Sequence, residues 1–301
     1  MAAITPATVL ASVAAAVPRE CHENIIIVGS LAAGYLLLKD ETRFQVRTKD
    51  VDCVLSPHVR AVESGKTVVA QLLAGGWRPR EEGEHGKPGN AGTPDQNLPA
   101  VRLFPPDSRD WFIELLTVPA SETDSFRPWT RLQLPDGDYG LPSFRFLALA
   151  TFKPVKTGSG LYCARPEMMA LAGLLEHTRV KPDPIRGSTL GNRAIKRSNK
   201  DLGRVLAIAW LSREEELEIW PKRWEEGLRS CLPKTWHTHA AGAGSGLRKL
   251  LSDPEDLAQA HYTCINGLLA GSPVSLEQLR IAGLRLIQDA ITPLEARANE
   301  V

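Results

Sequence analysis

The chain contains no apolar run approaching the roughly 20 residues that a membrane-spanning helix requires, so the sequence is read as having no membrane association. Cysteine is scarce and scattered. There are five, Cys21, Cys53, Cys163, Cys231 and Cys264, an odd number with no Cys-x-x-Cys among them. That spacing indicates neither a disulfide framework nor a zinc knuckle, and makes a reducing cytoplasm the expected setting. Charge of one sign is lacking too: the net charge is +1, so no global field draws the chain to nucleic acid and any polyanion must be met by a local patch. No basic segment precedes the apolar stretch Val9 to Val17, which therefore reads as an amphipathic helix rather than a secretory signal. No internal repeat is present. What remains is an ordinary globular composition, 43% hydrophobic and 24% charged over 301 residues, enough for two domains with a core each.

After a first helix (about Pro6 to Val17), Ile25-Ile26-Ile27-Val28 is a β-branched run that suits a strand buried on both faces. Gly29 ends it, and Ser30 is placed to cap a helix over Leu31 to Leu38. Asp50 to Leu55 reads as a second strand, stopped by Ser56-Pro57, with a helix from about His58 to Leu73 closed by Gly75-Gly76. Glu81 to Asn97 is rich in Gly, Pro and polar residues and is expected to be a mobile loop. Strands are expected at Ala100–Phe104, Trp111–Val118, Phe144–Phe152 and Leu161–Cys163. From Arg165 apolar residues recur at helical spacing, in Met168–Leu175, Leu202–Leu211, Leu217–Leu228, Leu257–Leu269 and Leu276–Ile291. The expectation is an α+β fold, a mixed sheet with flanking helices over residues 1–164, followed by an all-α domain over 165–301.

A buried strand that ends in Gly-Ser and turns at once into a helix presents backbone N–H groups at the helix N-terminus, and glycine lets an anion approach them closely. On the next strand Asp50 and Asp52 stand two apart, so their carboxylates project from one face. Two aligned carboxylates beside a phosphate site suit Mg²⁺, and a two-ion arrangement suits in-line phosphoryl or nucleotidyl transfer. Either feature alone is more often a turn or a solvated face; their order along strand, helix and strand makes the functional reading.

The block Ile26-Ile27-Val28-Gly29-Ser30-Leu31-Ala32-Ala33-Gly34-Tyr35-Leu36, followed by Arg47-Thr48-Lys49-Asp50-Val51-Asp52, resembles the signature of the DNA polymerase β-like nucleotidyltransferase superfamily. Within it the wording is most similar to the abortive-infection and toxin–antitoxin nucleotidyltransferases. A looser similarity of hydrophobic pattern extends to about Leu211. The resemblance implies a nucleotidyltransferase-type mixed sheet. Gly29 and Ser30 would hold the triphosphate of an NTP substrate, with Lys49 as a further nucleotide contact. Asp50 and Asp52 would hold two Mg²⁺ ions, and Glu114, in Phe112-Ile113-Glu114-Leu115-Leu116, would be the third catalytic carboxylate and metal ligand, where the family more often has Asp. Asp201 matches a nucleotide-site position on a later helix. A family lysine after the Pro166-Glu167 pair is replaced by Ala172, Gly173 or Leu174; Lys153, Arg179 and Lys181 are the nearby basic residues. The acceptor implied is tRNA, another RNA or a protein hydroxyl, and a cognate antitoxin is the implied partner. A non-catalytic nucleotide-binding descendant and an aminoglycoside-type small-molecule enzyme are the alternatives.

Between Arg179 and Arg204, eight basic residues face Asp183 and Asp201, a local excess of six positive charges. Arg179, Lys181, Arg193, Lys196, Arg197 and Lys200 are the residues expected to meet a polyanionic acceptor; the competing reading is a solvated face offset by Glu214-Glu215-Glu216 and Glu218. His237 and His239 have no metal-ligating partner nearby in the chain. Trp210, Trp220, Trp224 and Trp236 read as core, and Gly242 to Gly246, without a P-loop lysine, as a loop before a helix.

Overall fold

The computed structural model describes residues 5–38, 46–80, 86–122, 129–181 and 194–300. Arg193, with Asp183 and Arg186 of the basic stretch and Glu81 to His85 of the expected loop, lies outside the described residues. The chain divides into two compact units, Met1–Ala32 with Thr48–Ala164, and Ala33–Arg47 with Arg165–Val301. The segment Ala33–Arg47, kept with the first domain in the reading from sequence, belongs to the second unit, where the N–H of Arg47 donates to the Gly267 carbonyl at 3.2 Å.

The first unit runs α1 (Pro6–Ala16), β1 (Ile25–Val28), the start of α2 (Gly29–Leu37), β2 (Asp50–Leu55), α3 (His58–Ala74), β3 (Arg78–Pro79), β4 (Arg102–Phe104), β5 (Phe112–Thr117), β6 (Trp129–Leu134), β7 (Gly137–Pro142), α4 (Leu147–Ala150), β8 (Val155–Lys156) and β9 (Tyr162–Cys163). Seven strands form one mixed sheet in the order β3-β4-β5-β2-β1-β9-β8, and β6 pairs with β7 in a second small sheet. In the larger sheet β1 pairs antiparallel with β2 and parallel with β9, while β2 pairs parallel with β5. All four β1 residues are buried, as an unbroken β-branched run requires, and each isoleucine hidden this way contributes about 2 kcal/mol. Helix α3 covers the face bearing Val51, Cys53 and Leu55: a Cβ at Gly65 would stand 3.2 Å from Leu55 Cδ1. Period-two alternation therefore sends Asp50 and Asp52 to the opposite face.

Two expectations in this unit are corrected. Phe144 to Phe152 is not a strand but contains the short helix α4, with Phe146, Leu147, Leu149 and Ala150 buried. The unbroken apolar run Phe146 to Ala150 carries no period, so helix and strand look alike in it. The hairpin β6–β7 is an element not expected from the sequence, although Pro135-Asp136, the two residues between Leu134 and its partner Gly137, with glycine next at φ 138°, are its turn signal. From residue 86 on, the Gly/Pro-rich loop is pinned rather than loose. Arg131 of β6 donates to Asp95 at 2.9 Å, to the Asn90 carbonyl at 3.2 Å, to Asp138 at 2.5 Å and also to the Thr93 carbonyl.

The second unit is built of helices: α5 (Pro166–Glu176), α6 (Arg197–Leu211), α7 (Glu214–Cys231), α8 (Trp236–Gly242), α9 (Ser245–Ser252), α10 (Pro254–Ile265), α11 (Leu276–Leu286) and α12 (Thr292–Asn299). Their starts follow local chemistry. Asp253 caps α10 by accepting from the N–H groups of Glu255 and Asp256, and Ser275 with Gln278 forms a capping box on α11. The expected single helix over Leu276 to Ile291 instead passes through a π-helical turn, Ile287–Ile291, before α12, whose Pro293 lacks the N–H that an unbroken α-helix would use. Trp220, Trp224 and Trp236 are buried, and Trp224 donates its indole N–H to the Glu167 carbonyl at 2.8 Å, which accounts for them as core rather than stacking faces. Among the described residues, no helix is long and apolar enough to cross a membrane.

Candidate functional site

The half-exposed positions of two otherwise buried strands define the candidate site. In β2 they are Asp50 and Asp52, and in β5 the one such position is Glu114. Asp52 is the register partner of Glu114 on one side and of Val28 on the other, and Asp50 is the partner of Phe112. Residues opposite one another in register share a face, so Asp50, Asp52 and Glu114 lie on the sheet face opposite α3.

Gly29 adjoins them where β1 turns into α2. Its φ is +80°, in the left-handed region, and a Cβ built on it would stand 3.1 Å from Asp52 Oδ2. Glycine is thus required both by the backbone and by the nearness of the carboxylate. Ser30 follows, half-buried in the first turn of α2. Thr48 Oγ1 donates to Asp50 Oδ1 at 2.8 Å and fixes that carboxylate, while Lys49 is exposed beside it in the chain.

Glu114 has a partner that the sequence reading did not include. Arg102 of β4 is its register partner, donating through Nε to Oε2 at 2.9 Å and through Nη2 to Oε1 at 3.3 Å. Burial opposes the charge on Arg102, but Glu114, Asp50 and Asp52 together raise its pKa, so its guanidinium lies in the field of all three carboxylates. Both strands were legible, but the long Pro105–Trp111 connection does not by itself fix the register that sets Arg102 opposite Glu114. On the same stretch of sheet Arg80 lies over the Phe112 ring at 4.4 Å, and Phe104 meets Phe112 edge-on at 5.7 Å between centroids.

The remaining expected site residues belong to the second unit. Asp201 of α6 accepts from His177 Nε2 at 2.8 Å. Burial alone would raise its carboxyl, but the hydrogen bond from His177 and the charges of Arg204 and Lys200 outweigh it and hold it down at about 2. Lys196 is bound to the buried Asp256 at 2.7 Å, and Asn199 donates to the same carboxylate at 2.8 Å, so Lys196 is part of the helical packing. Arg179, Lys181 and Arg197 are exposed, and Lys200 is half-buried. Among the described residues no three His, Cys, Asp or Glu side chains gather as a metal cage, and His237 meets the Ala298 carbonyl at 3.4 Å. Burial pushes the Cys53 and Cys264 thiols up, which suits core cysteines rather than nucleophiles.

No protein-family model matches the chain, and comparison with curated proteins finds no relative.

Proposed function

We propose that the first unit carries a magnesium-dependent nucleotidyltransferase centre, which moves a nucleoside monophosphate from an NTP to an acceptor hydroxyl. One observation carries the reading: a left-handed glycine at a strand-to-helix turn, Gly29, lies directly against the carboxylate of Asp52, with Asp50 on the same face. That juxtaposes an anion-binding helix start with a pair of hard oxygen donors.

The donor set fits magnesium: Asp50, oriented by Thr48, and Asp52 are the residues that would hold it. When bound, the metal would offset phosphate charge and polarise the phosphorus centre. The chain's own groups do the rest. The N–H groups at the start of α2 and the Ser30 hydroxyl bind phosphate oxygens, and Lys49 adds a mobile positive charge. The bare Cα of Gly29 lets the phosphates approach. In the transfer the acceptor oxygen forms a bond to the α-phosphorus and the α–β bridging bond breaks. Pyrophosphate leaves with the electron pair, and the hydroxyl proton passes to a carboxylate of the site. An RNA such as tRNA, or a protein hydroxyl, is the proposed acceptor, in a toxin-like role held in check by an antitoxin.

A nucleotide binder without transfer is the second reading, favoured by Ala172, Gly173 and Leu174 where the resembling family carries a lysine. Incubation with each α-³²P-labelled NTP, Mg²⁺, total RNA and a protein extract separates the two. Label in an RNA or protein band, lost in Asp50→Ala/Asp52→Ala, is the expected result; nucleotide binding without label transfer would select the binder.

A further inference from the structure

We infer that Glu114 is the tether of a phosphate-binding arginine rather than a metal ligand, and that Arg102 is the cation this site turns toward the triphosphate. The inference rests on the nucleotidyltransferase reading and assigns the charges within that same site.

Both carboxylate oxygens of Glu114 are taken by Arg102, in a side-on pair through Nε and Nη2. The Glu114 side chain is only 14% exposed, whereas that of Arg102 is 42% exposed. To serve a cation, Glu114 would have to leave a two-point ion pair inside a largely covered position and abandon a guanidinium next to the incoming positive charge.

The guanidinium is planar and presents its donors along separate edges. One edge is spent on Glu114. Nη1 donates to no described residue, and it belongs to the more exposed partner of the pair. The row across the sheet reads Arg102, Glu114, Asp52, Val28, so the outer donors sit on β4, two strands from the proposed metal carboxylates of β2. A tri- or diphosphate lying along this row would meet the helix start after Gly29 at one side and Arg102 at the other.

Two titrations of the full chain test this. Mn²⁺ binding is followed by electron paramagnetic resonance in the wild type, Asp52→Asn and Glu114→Gln. Inorganic triphosphate binding is followed by calorimetry with Mg²⁺ present in the wild type, Arg102→Lys and the charge-balanced Arg102→Gln/Glu114→Gln. Asp52→Asn should weaken Mn²⁺ binding while Glu114→Gln leaves it within about twofold, and the double variant should lose about tenfold or more in triphosphate affinity, the loss expected for charged hydrogen bonds. Arg102→Lys should recover only part of it, because an ammonium lacks the fork. If Glu114→Gln loses Mn²⁺ as Asp52→Asn does, or the double variant holds triphosphate as the wild type does, the assignment is overturned. A wild type that binds neither Mn²⁺ nor triphosphate would overturn the nucleotidyltransferase reading itself.

Discussion

Gly29 serves both the backbone and the space around Asp52. Alanine there meets φ +80° and a Cβ contact of 3.1 Å with Asp52 Oδ2. Gly29→Ala is therefore expected to cost about 1–2 kcal/mol in chemical denaturation and to displace the Asp52 carboxylate. A stable variant with unchanged Mn²⁺ affinity would show that the position is only a turn. Asp201 makes a separate, pH-dependent contribution. Its carboxyl is held at about 2 against an ordinary 3.8, so the stabilisation is complete above the unfolded value and is lost as pH falls from about 4 toward 2. With a side chain 25% exposed, about 2 kcal/mol is its upper limit. Denaturant midpoints should fall over that interval in the wild type and more shallowly in Asp201→Asn; equal slopes would remove the His177–Asp201 pair from the acid response.

Between elements, closeness of backbone decides what is tolerated. Helices α6 and α10 pack so tightly at Gly203 that a Cβ there would lie 2.5 Å from Thr263 Oγ1 and 2.8 Å from the Ala260 carbonyl. Gly203→Ala should destabilise by about 1–3 kcal/mol through overpacking, read as a lower urea midpoint. Arg131→Ala should release the loop that Arg131 clamps, seen as faster protease cleavage between residues 86 and 97; unchanged cleavage would mean the loop holds without it. The elements legible in the sequence were those with a strong period or cap: β1 from its isoleucines, β2 and α3 from Asp50 to Ala74, and α5, α6, α7, α10 and α11 after Arg165; α8 was not read, and the expected loop Gly242–Gly246 is partly taken up by the end of α8 and the start of α9. Apart from the β6–β7 hairpin, whose turn signal is local, those missed lacked a period or depended on distant partners. Phe146 to Ala150 is apolar without alternation, and the clamp of residue 131 onto residues 90 to 95 spans too much chain to be seen as local pattern. In the candidate site Asp50, Asp52 and Gly29 were visible because their spacing is local. Arg102 was not, because its meeting with Glu114 depends on the register of β4 against β5.

At the scale of the whole molecule, a net charge of +1 leaves attraction to a polyanion to exposed local residues. Arg197, exposed at the start of α6, is the sharpest test of the basic stretch. Arg197→Glu should weaken RNA binding and reduce the salt slope by about 1 or more, whereas an unchanged slope would make this a solvated helix face. The central claim, that Gly29, Asp50 and Asp52 form a metal-dependent nucleotide site, is tested most directly by calorimetric titration of the four NTPs with and without Mg²⁺, in the wild type and in Asp52→Ala. The account predicts binding that needs Mg²⁺ and disappears in Asp52→Ala while the fold persists by circular dichroism. Nucleotide binding indifferent to both the metal and Asp52, or no binding by any NTP, would contradict it.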